Sequence, residues 1–182
     1  MRLIPLAEEH AAPLYAIARK PGVWEWKPHR MEEPQHMEGY VQAALTERQQ
    51  GSAQPFAILA RDSGLVLGTT RFGSMALQHR RVEIGWTFLD PDVWRTAVNT
   101  ECKRLLLGFA FERLECLRVE LKTDLRNLRS RTAIERLGAK QEGILRSHIL
   151  YDDGRVRDTV YYSILSDEWP AVRAELDRRL SP

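Results

Sequence analysis

Val82-Glu83-Ile84-Gly85-Trp86-Thr87-Phe88-Leu89-Asp90-Pro91, running on through Asp92-Val93-Trp94-Arg95-Thr96-Ala97-Val98-Asn99-Thr100-Glu101-Cys102-Lys103, is the stretch on which the fold turns. Its first part reads as a strand over Val82–Leu89 closed by Asp90-Pro91. Its second part opens a helix expected from about Thr100 to Leu114, with Cys102, Leu105, Leu106, Phe109, Ala110 and Leu114 on a broad apolar face. A helix start leaves up to four backbone N–H groups unpaired and carries roughly half a positive charge, which suits an anion. Arg95, Thr96, Asn99, Thr100, Lys103 and Arg104 surround this one. Cations in a first turn oppose the helix dipole by about 0.3–1 kcal/mol each, so Lys103 and Arg104 make better sense if a polyanion sits there. A capped helix with a solvated basic edge fits the same residues equally well.

Upstream, Leu3–Leu6 reads as a short strand and Glu8–Arg19 as a helix that Pro21-Gly22 breaks. A loop carrying Trp24 and Trp26 follows. Pro34 suits a first helical position, and Met37, Tyr40, Val41, Ala44 and Leu45 then recur at helical spacing up to Gly51. Phe56–Arg61 and Leu65–Phe72 form a hairpin about Asp62-Ser63-Gly64. Downstream, Arg118–Lys122 alternates as a strand does, and Leu128–Leu137 is a short helix stopped by Gly138. Ile144–Tyr151 and Arg155–Leu165 pair about Asp152-Asp153-Gly154, and a surface helix is expected from Asp167 to Leu180. The order predicts an α+β, mixed α/β architecture: a mostly antiparallel sheet with helices on both faces, in one domain spanning residues 1–182.

Composition narrows the function. With 43% hydrophobic and 29% charged residues the chain is an ordinary globular sequence, and a net charge of +2 gives no concentrated basic face for nucleic acid. Two cysteines, Cys102 and Cys116, make neither a disulfide framework nor a metal set. The start runs into Glu8-Glu9 too soon for a signal segment, and no apolar run approaches the ~20 residues of a membrane span. A cytoplasmic protein without membrane, nucleic-acid or metal partners is expected. No G-x-G-x-x-G, G-x-x-x-x-G-K-[ST] or G-x-S-x-G occurs, which removes the main support for dinucleotide, nucleotide triphosphate and α/β-hydrolase chemistry. Five histidines are scattered without metal spacing, and His148 on a strand reads as a surface or satisfied-core residue more readily than as a cleft residue.

The segments E-I-G-W-T-F-L-D-P, W-R-T-A-V-N-T-E-C-K-R-L-L-L-G-F-A-F and L-R-V-E-L-K-T-D-L-R-N-L-R-S-R-T-A-I-E-R-L-G-A resemble acetyltransferases of the GNAT superfamily. Within it they look like the ribosomal-protein-alanine N-acetyltransferase group. The resemblance runs from Val82 to the hairpin ending G-R-V-R-D-T-V-Y-Y-S-I-L, roughly half the chain. It implies that Val82–Leu89 and Arg118–Lys122 run parallel and splay, leaving a slot for the pantetheine arm of acetyl-CoA. Backbone groups of Phe88 and Leu89 would pair with that arm, and the amides of Arg95, Thr96, Ala97, Val98, Asn99 and Thr100 would hold the pyrophosphate. Asn127 would bond a pantetheine amide, and Ser130 would face the thioester. One departure stands out: where the family's loop reads [QR]-x-x-G-x-[GA], this chain has Ala97 and Asn99. Alanine costs little there if φ stays negative, and Arg95 could add a phosphate contact.

Acetyl transfer to an amine needs a proton acceptor, an oxyanion donor and a proton for the leaving thiolate. Glu83 is the candidate base, against a structural ion pair with Arg71 or Arg81. Ser130 is the candidate acid, with Tyr161 and Tyr162 as alternatives. An α-amine with pKa near ~7.8 loses about 1 kcal/mol in being neutral at pH 7, and a lysine near ~10.4 about 4.6, so a weak base suits an α-amine. Trp24 and Trp26 could grip a cationic acceptor through their faces, although burial of indoles under a loop is the commoner outcome. The expected acceptor is a protein N-terminus or a small amine, and a homodimer is left open. A non-catalytic acyl-CoA-binding module is the rival, given the altered loop. Nucleic-acid binding through Arg126, Arg129 and Arg131 is a weaker third, since that cluster is better placed for CoA phosphates.

Overall fold

The computed structural model describes residues 1–181. A seven-stranded sheet holds β1 (Arg2–Pro5), β2 (Gln54–Leu59), β3 (Val66–Ala76), β4 (Arg81–Leu89), β5 (Arg118–Asp124), β6 (Lys140–Leu150) and β7 (Val156–Leu165) in the order β1-β2-β3-β4-β5-β7-β6. All neighbours are antiparallel except β4 and β5. The helices are α1 (Ala11–Ala18), α2 (Pro34–Gln49), α3 (Val98–Glu112), α4 (Leu128–Glu135) and α5 (Trp169–Leu180). The mixed α/β architecture expected from the sequence is the one observed.

Two apolar layers sandwich the sheet. On one face Val82, Ile84, Val119, Leu121, Val160, Tyr162 and Ile164 meet Cys102, Leu106, Leu107 and Ala110 of α3 and Leu176 of α5. On the other, Ala57, Leu59 and Phe88 meet Leu14 and Ile17 of α1 and Met37, Val41 and Ala44 of α2. Even-numbered residues of β7, and of β4 as far as Ile84, thus supply the α3 layer. Glu83, Thr159 and Tyr161 alternate with them and are turned to the face that α1 and α2 share with the loop at residues 20–33.

The α3 stripe differs from the one read off its sequence. Leu105 and Phe109 are about half exposed (47% and 50%), while Leu107, Phe111 and Lys103 are buried. The helix is rotated so that Cys102, Leu106 and Ala110 centre the contact, and Leu105 and Phe109 fall at its rim.

Candidate active site

β4 and β5 pair only through Arg81↔Arg118, Val82↔Val119 and Glu83↔Glu120. Beyond Glu83 the strands part. The local cause lies on the β3 side, where Thr69 pairs with Phe88 but Arg71 pairs with Gly85, so Trp86 and Thr87 bulge opposite one residue. Trp86 takes φ +52° there, and a bulge bends and twists its strand. Lys20 Nζ holds Asp90 (2.7 Å) and Asp92 (2.9 Å), tying the end of α1 to the turn that follows β4.

The gap opens into a cleft of about 1610 Å³ reaching from α2 to the starts of α3 and α4. That exceeds the ~300–1,000 Å³ of common small-molecule pockets. At the α3 end, Arg95 adopts φ +63°, a conformation that costs a non-glycine residue about 1–2 kcal/mol. Ala97 keeps φ at −67°, so alanine carries no backbone strain at the position the family gives to glycine. Val98 N–H is capped by Thr96 Oγ1 at 3.4 Å. The N–H groups of Arg95, Thr96, Ala97, Asn99 and Thr100 have no acceptor among the described residues, which leaves a cradle of donors for an anion. At the α4 end, Asn127 Oδ1 caps Ser130 N–H at 3.0 Å, so the side-chain NH2 of Asn127 is left to face the cleft, with Ser130 beside it.

Phe88 and Leu89 differ in what they present. A Cβ at Gly68 would stand 2.1 Å from the Phe88 carbonyl oxygen, so that carbonyl is turned to β3, away from the gap. The carbonyls of Thr87 and Leu89 point the other way and receive Lys27 Nζ (3.0 Å) and Trp94 Nε1 (3.0 Å). Thr87 and Leu89, two apart on the strand, are thus the residues turned to the gap, with their carbonyls taken by Lys27 and Trp94.

Glu83 is 3% exposed and lies against the cleft. Its partner is neither Arg71, which bonds Glu47 at 2.8 Å, nor Arg81, which bonds Glu120. Lys122 Nζ stands 2.8 Å from Glu83 Oε2, and Ser74 Oγ donates to the same oxygen at 3.2 Å. Oε1 is left over Gly85, where a Cβ would approach it to 2.9 Å.

The two cations at the α3 start do not face the anion cradle. Lys103 is buried with Nζ 2.7 Å from Thr87 Oγ1, and burial lowers its pKa. Arg104 is clamped on Asp177 of α5 at 2.6 Å. Nor do Arg126, Arg129 and Arg131 cluster. Arg126 takes Asp124, Arg129 stacks 3.7 Å from the Trp94 ring centroid and bonds Gly22 O, and Arg131 bonds Tyr162 Oη at 3.1 Å. Tyr162 is fully buried in the α3 layer, with its hydroxyl given to Glu135 at 2.9 Å. The indoles also part company: Trp24 packs edge-on against Tyr40 and Phe88, whereas Trp26 faces Arg126. Both line the cleft. His148 is exposed and bonds Thr159 Oγ1 at 3.0 Å.

A family model described as an acetyltransferase (GNAT) domain matches residues 1–140. The chain belongs to the GNAT acetyltransferases. It is similar to the uncharacterised N-acetyltransferase YoaA of Bacillus subtilis, 31% identical over 68% of this chain and 67% of that one. YdaF of the same organism, provisionally assigned as a ribosomal N-acetyltransferase, is 33% identical over 59% of this chain and 61% of its own. The crystal structure of a provisionally assigned acetyltransferase from T. thermophilus superposes with a TM-score of 0.88 at 36% identity, covering 99% of this chain and 93% of the other. The protein is therefore an N-acetyltransferase, and its family takes the acetyl group from acetyl-CoA. The residues present fit that donor: an amide cradle without acceptors, and polar groups on Asn127 and Ser130 that are unpaired among the described residues. Among the described residues no cluster of three metal-ligand side chains occurs, and no helix is long and apolar enough to cross a membrane.

No motif or spacing flags Lys27 or Arg157, which both line the cleft. Lys27 is partly buried, and desolvation together with the charges of Arg157, Lys103 and Arg71 lowers its pKa to about 7. Arg157 lies on the polar face of β7. Such a face reads as solvent-exposed in any alternating strand, yet Arg157 is buried.

Proposed function

We propose that the protein moves the acetyl group of acetyl-CoA onto a primary amine by direct attack within a ternary complex, the chain acting as one catalytic unit. The observation that carries this is the parting of β4 from β5 beside the amide cradle of Arg95–Thr100. Bound acetyl-CoA supplies an activated carbonyl and a thiolate leaving group. The amides of Arg95, Thr96, Ala97, Asn99 and Thr100, with the Arg95 guanidinium, hold its pyrophosphate. Asn127 bonds the pantetheine arm through its side-chain NH2, and the Thr87–Leu89 edge runs alongside it.

On the opposite side, Trp24 and Trp26 border the acceptor pocket. As the amine nitrogen bonds to the carbonyl carbon and the carbon–sulfur bond breaks, Glu83 Oε1 takes the amine proton, directly or through water. Ser130 Oγ–H donates to the sulfur as it leaves as the CoA thiol, and the serine regains its proton from water while Glu83 releases the amine proton to solvent. Lys122 and Ser74 hold the Glu83 carboxylate in place through Oε2. A protein N-terminus is a fitting acceptor, because an α-amine needs only a weak base and one relative carries a ribosomal N-acetyltransferase name. The test is thiol release from acetyl-CoA upon addition of α-amines and ε-amines. Binding of acetyl-CoA without amine-dependent thiol release would reduce the protein to a carrier of the cosubstrate.

A further inference from the structure

Arg157 is 8% exposed, and its Nε has no hydrogen-bond partner among the described residues. It stands on β7 opposite Ile149 and borders the cleft. The carboxylates around it are spoken for. Asp124 feels the Arg157 charge but receives Arg126 at 3.0 Å and the Tyr151 hydroxyl at 3.3 Å. Asp152 accepts from Arg30 N–H at 3.0 Å and lies 3.7 Å from His29. Glu83 belongs to Lys122 and Glu47 to Arg71. Tyr151 lies within hydrogen-bonding reach of the Arg157 guanidinium but is neutral, and it gives its hydroxyl to Trp26 O at 3.0 Å as well as to Asp124.

A buried charge is fully compensated only where its counter-charge is well placed and its remaining donors are satisfied. Asp124 is shared with Arg126, and Arg157 Nε has no acceptor among the described residues. Lysines can escape the cost of burial by losing a proton, and burial lowers the pKa of both Lys27 and Lys103. A guanidinium has no such escape, because it stays protonated and presents five donors in a fixed fork. An arginine held this way on the wall of a reaction cleft is a receptor for a planar anion that arrives with the ligand. Arg157, Thr159 and Tyr161 share the sheet face that carries Glu83 and Lys122, and Arg157 stands six residues along β7 from Ser163, which is in register with Glu83 through Glu120.

We propose that the acceptor carries a carboxylate besides its amine, and that this carboxylate docks on Arg157. The substrate class is then primary amines bearing a carboxylate, either the α-carboxylate of a free amino acid or an acidic side chain near a peptide N-terminus. This rests on the acetyl-transfer reading above and narrows it. Lys27, beside Arg157, adds a second donor when the anion is present, since a bound carboxylate favours its protonated form.

The experiment compares kcat/KM for the amino acids with primary α-amines against their α-amides, and for peptides with Asp or Glu against Asn or Gln at the second residue. The expected result is a preference for the acid over its amide on the order of 10²-fold, the scale for a buried charged hydrogen-bond partner. Arg157→Met should abolish that preference while the acetyl-CoA Kd stays as in wild type. Arg157→Lys should retain part of it. The free amino acids and the peptides tell the two sources of the carboxylate apart. Equal kcat/KM for acids and amides, or a preference that survives Arg157→Met, overturns the proposal. If no amine releases thiol, acetyl transfer fails separately, and calorimetry of the CoA-loaded protein with the N-acetylated acids and amides decides the carboxylate site. Acid binding that Arg157→Met removes supports it, and no acid binding overturns it. Should Arg157→Met not fold, the wild-type ratio and Arg157→Lys still decide.

Discussion

Lys122 Nζ and Glu83 Oε2 stand 2.8 Å apart across the point where β4 and β5 separate, and the glutamate is buried there. The pair fixes one oxygen of Glu83 and leaves the other over Gly85, both residues lining the cleft. Glu83→Gln should therefore lower kcat/KM most at low pH, where neutral amine is scarce, and the loss should shrink as pH nears the amine's own pKa. A pH–rate profile parallel to wild type would make Glu83 a positioning residue only.

Ser130 and Asn127 sit one turn apart and should separate kinetically. Ser130→Ala should cut kcat on the order of 10²-fold with little change in the acetyl-CoA Kd. Asn127→Ala should weaken acetyl-CoA binding and, by removing the α4 cap, cost about 1 kcal/mol of stability. Steady-state kinetics and calorimetry on both variants check the division.

Lys27 gives a stability signature. Its folded pKa of about 7 lies below the ordinary 10.5, so between those values the unfolded chain binds more protons and wild-type stability rises with pH. Lys27→Met removes a charge that burdens the folded state at low pH. The variant should gain most over wild type below about pH 7, and the gain should fall away as pH climbs toward 10.5. Denaturant melts across that range measure it, and a pH-independent difference would show that Lys27 is solvated.

Gly68 tests the strand geometry behind the cleft. A Cβ there would meet the Phe88 carbonyl oxygen at 2.1 Å and Leu89 Cα at 2.9 Å. Gly68→Ala should cost on the order of 3 kcal/mol and disturb the strand edge at Thr87 and Leu89. Thermal melts with and without acetyl-CoA would register both effects.

Much of this was legible in the sequence. Pro34 marks the start of α2, Gly138 with φ +91° follows α4, and Gly64 and Gly154 turn the two hairpins at positive φ, because turn and cap chemistry is local. What depends on which face another element covers was not. Lys103 looked like an exposed first-turn cation and is buried on Thr87, while Leu105 and Phe109 looked inward and lie at the rim. Glu83 offered Arg71 and Arg81 as nearby partners, yet its partner Lys122 comes from a strand that the sequence separates by a whole helix. Arg157 sits on the polar side of a regular strand, and only the tertiary fold makes that side an interior.

The most direct measurement is amine-dependent release of thiol from acetyl-CoA by the purified protein, with the acetylated amine identified by mass spectrometry. Stoichiometric thiol and N-acetylated product, both reduced by Ser130→Ala, are the predicted result. Saturable acetyl-CoA binding with no acetylated amine at any pH from about 6 to about 9, a range that brackets an ordinary α-amine pKa, would contradict it.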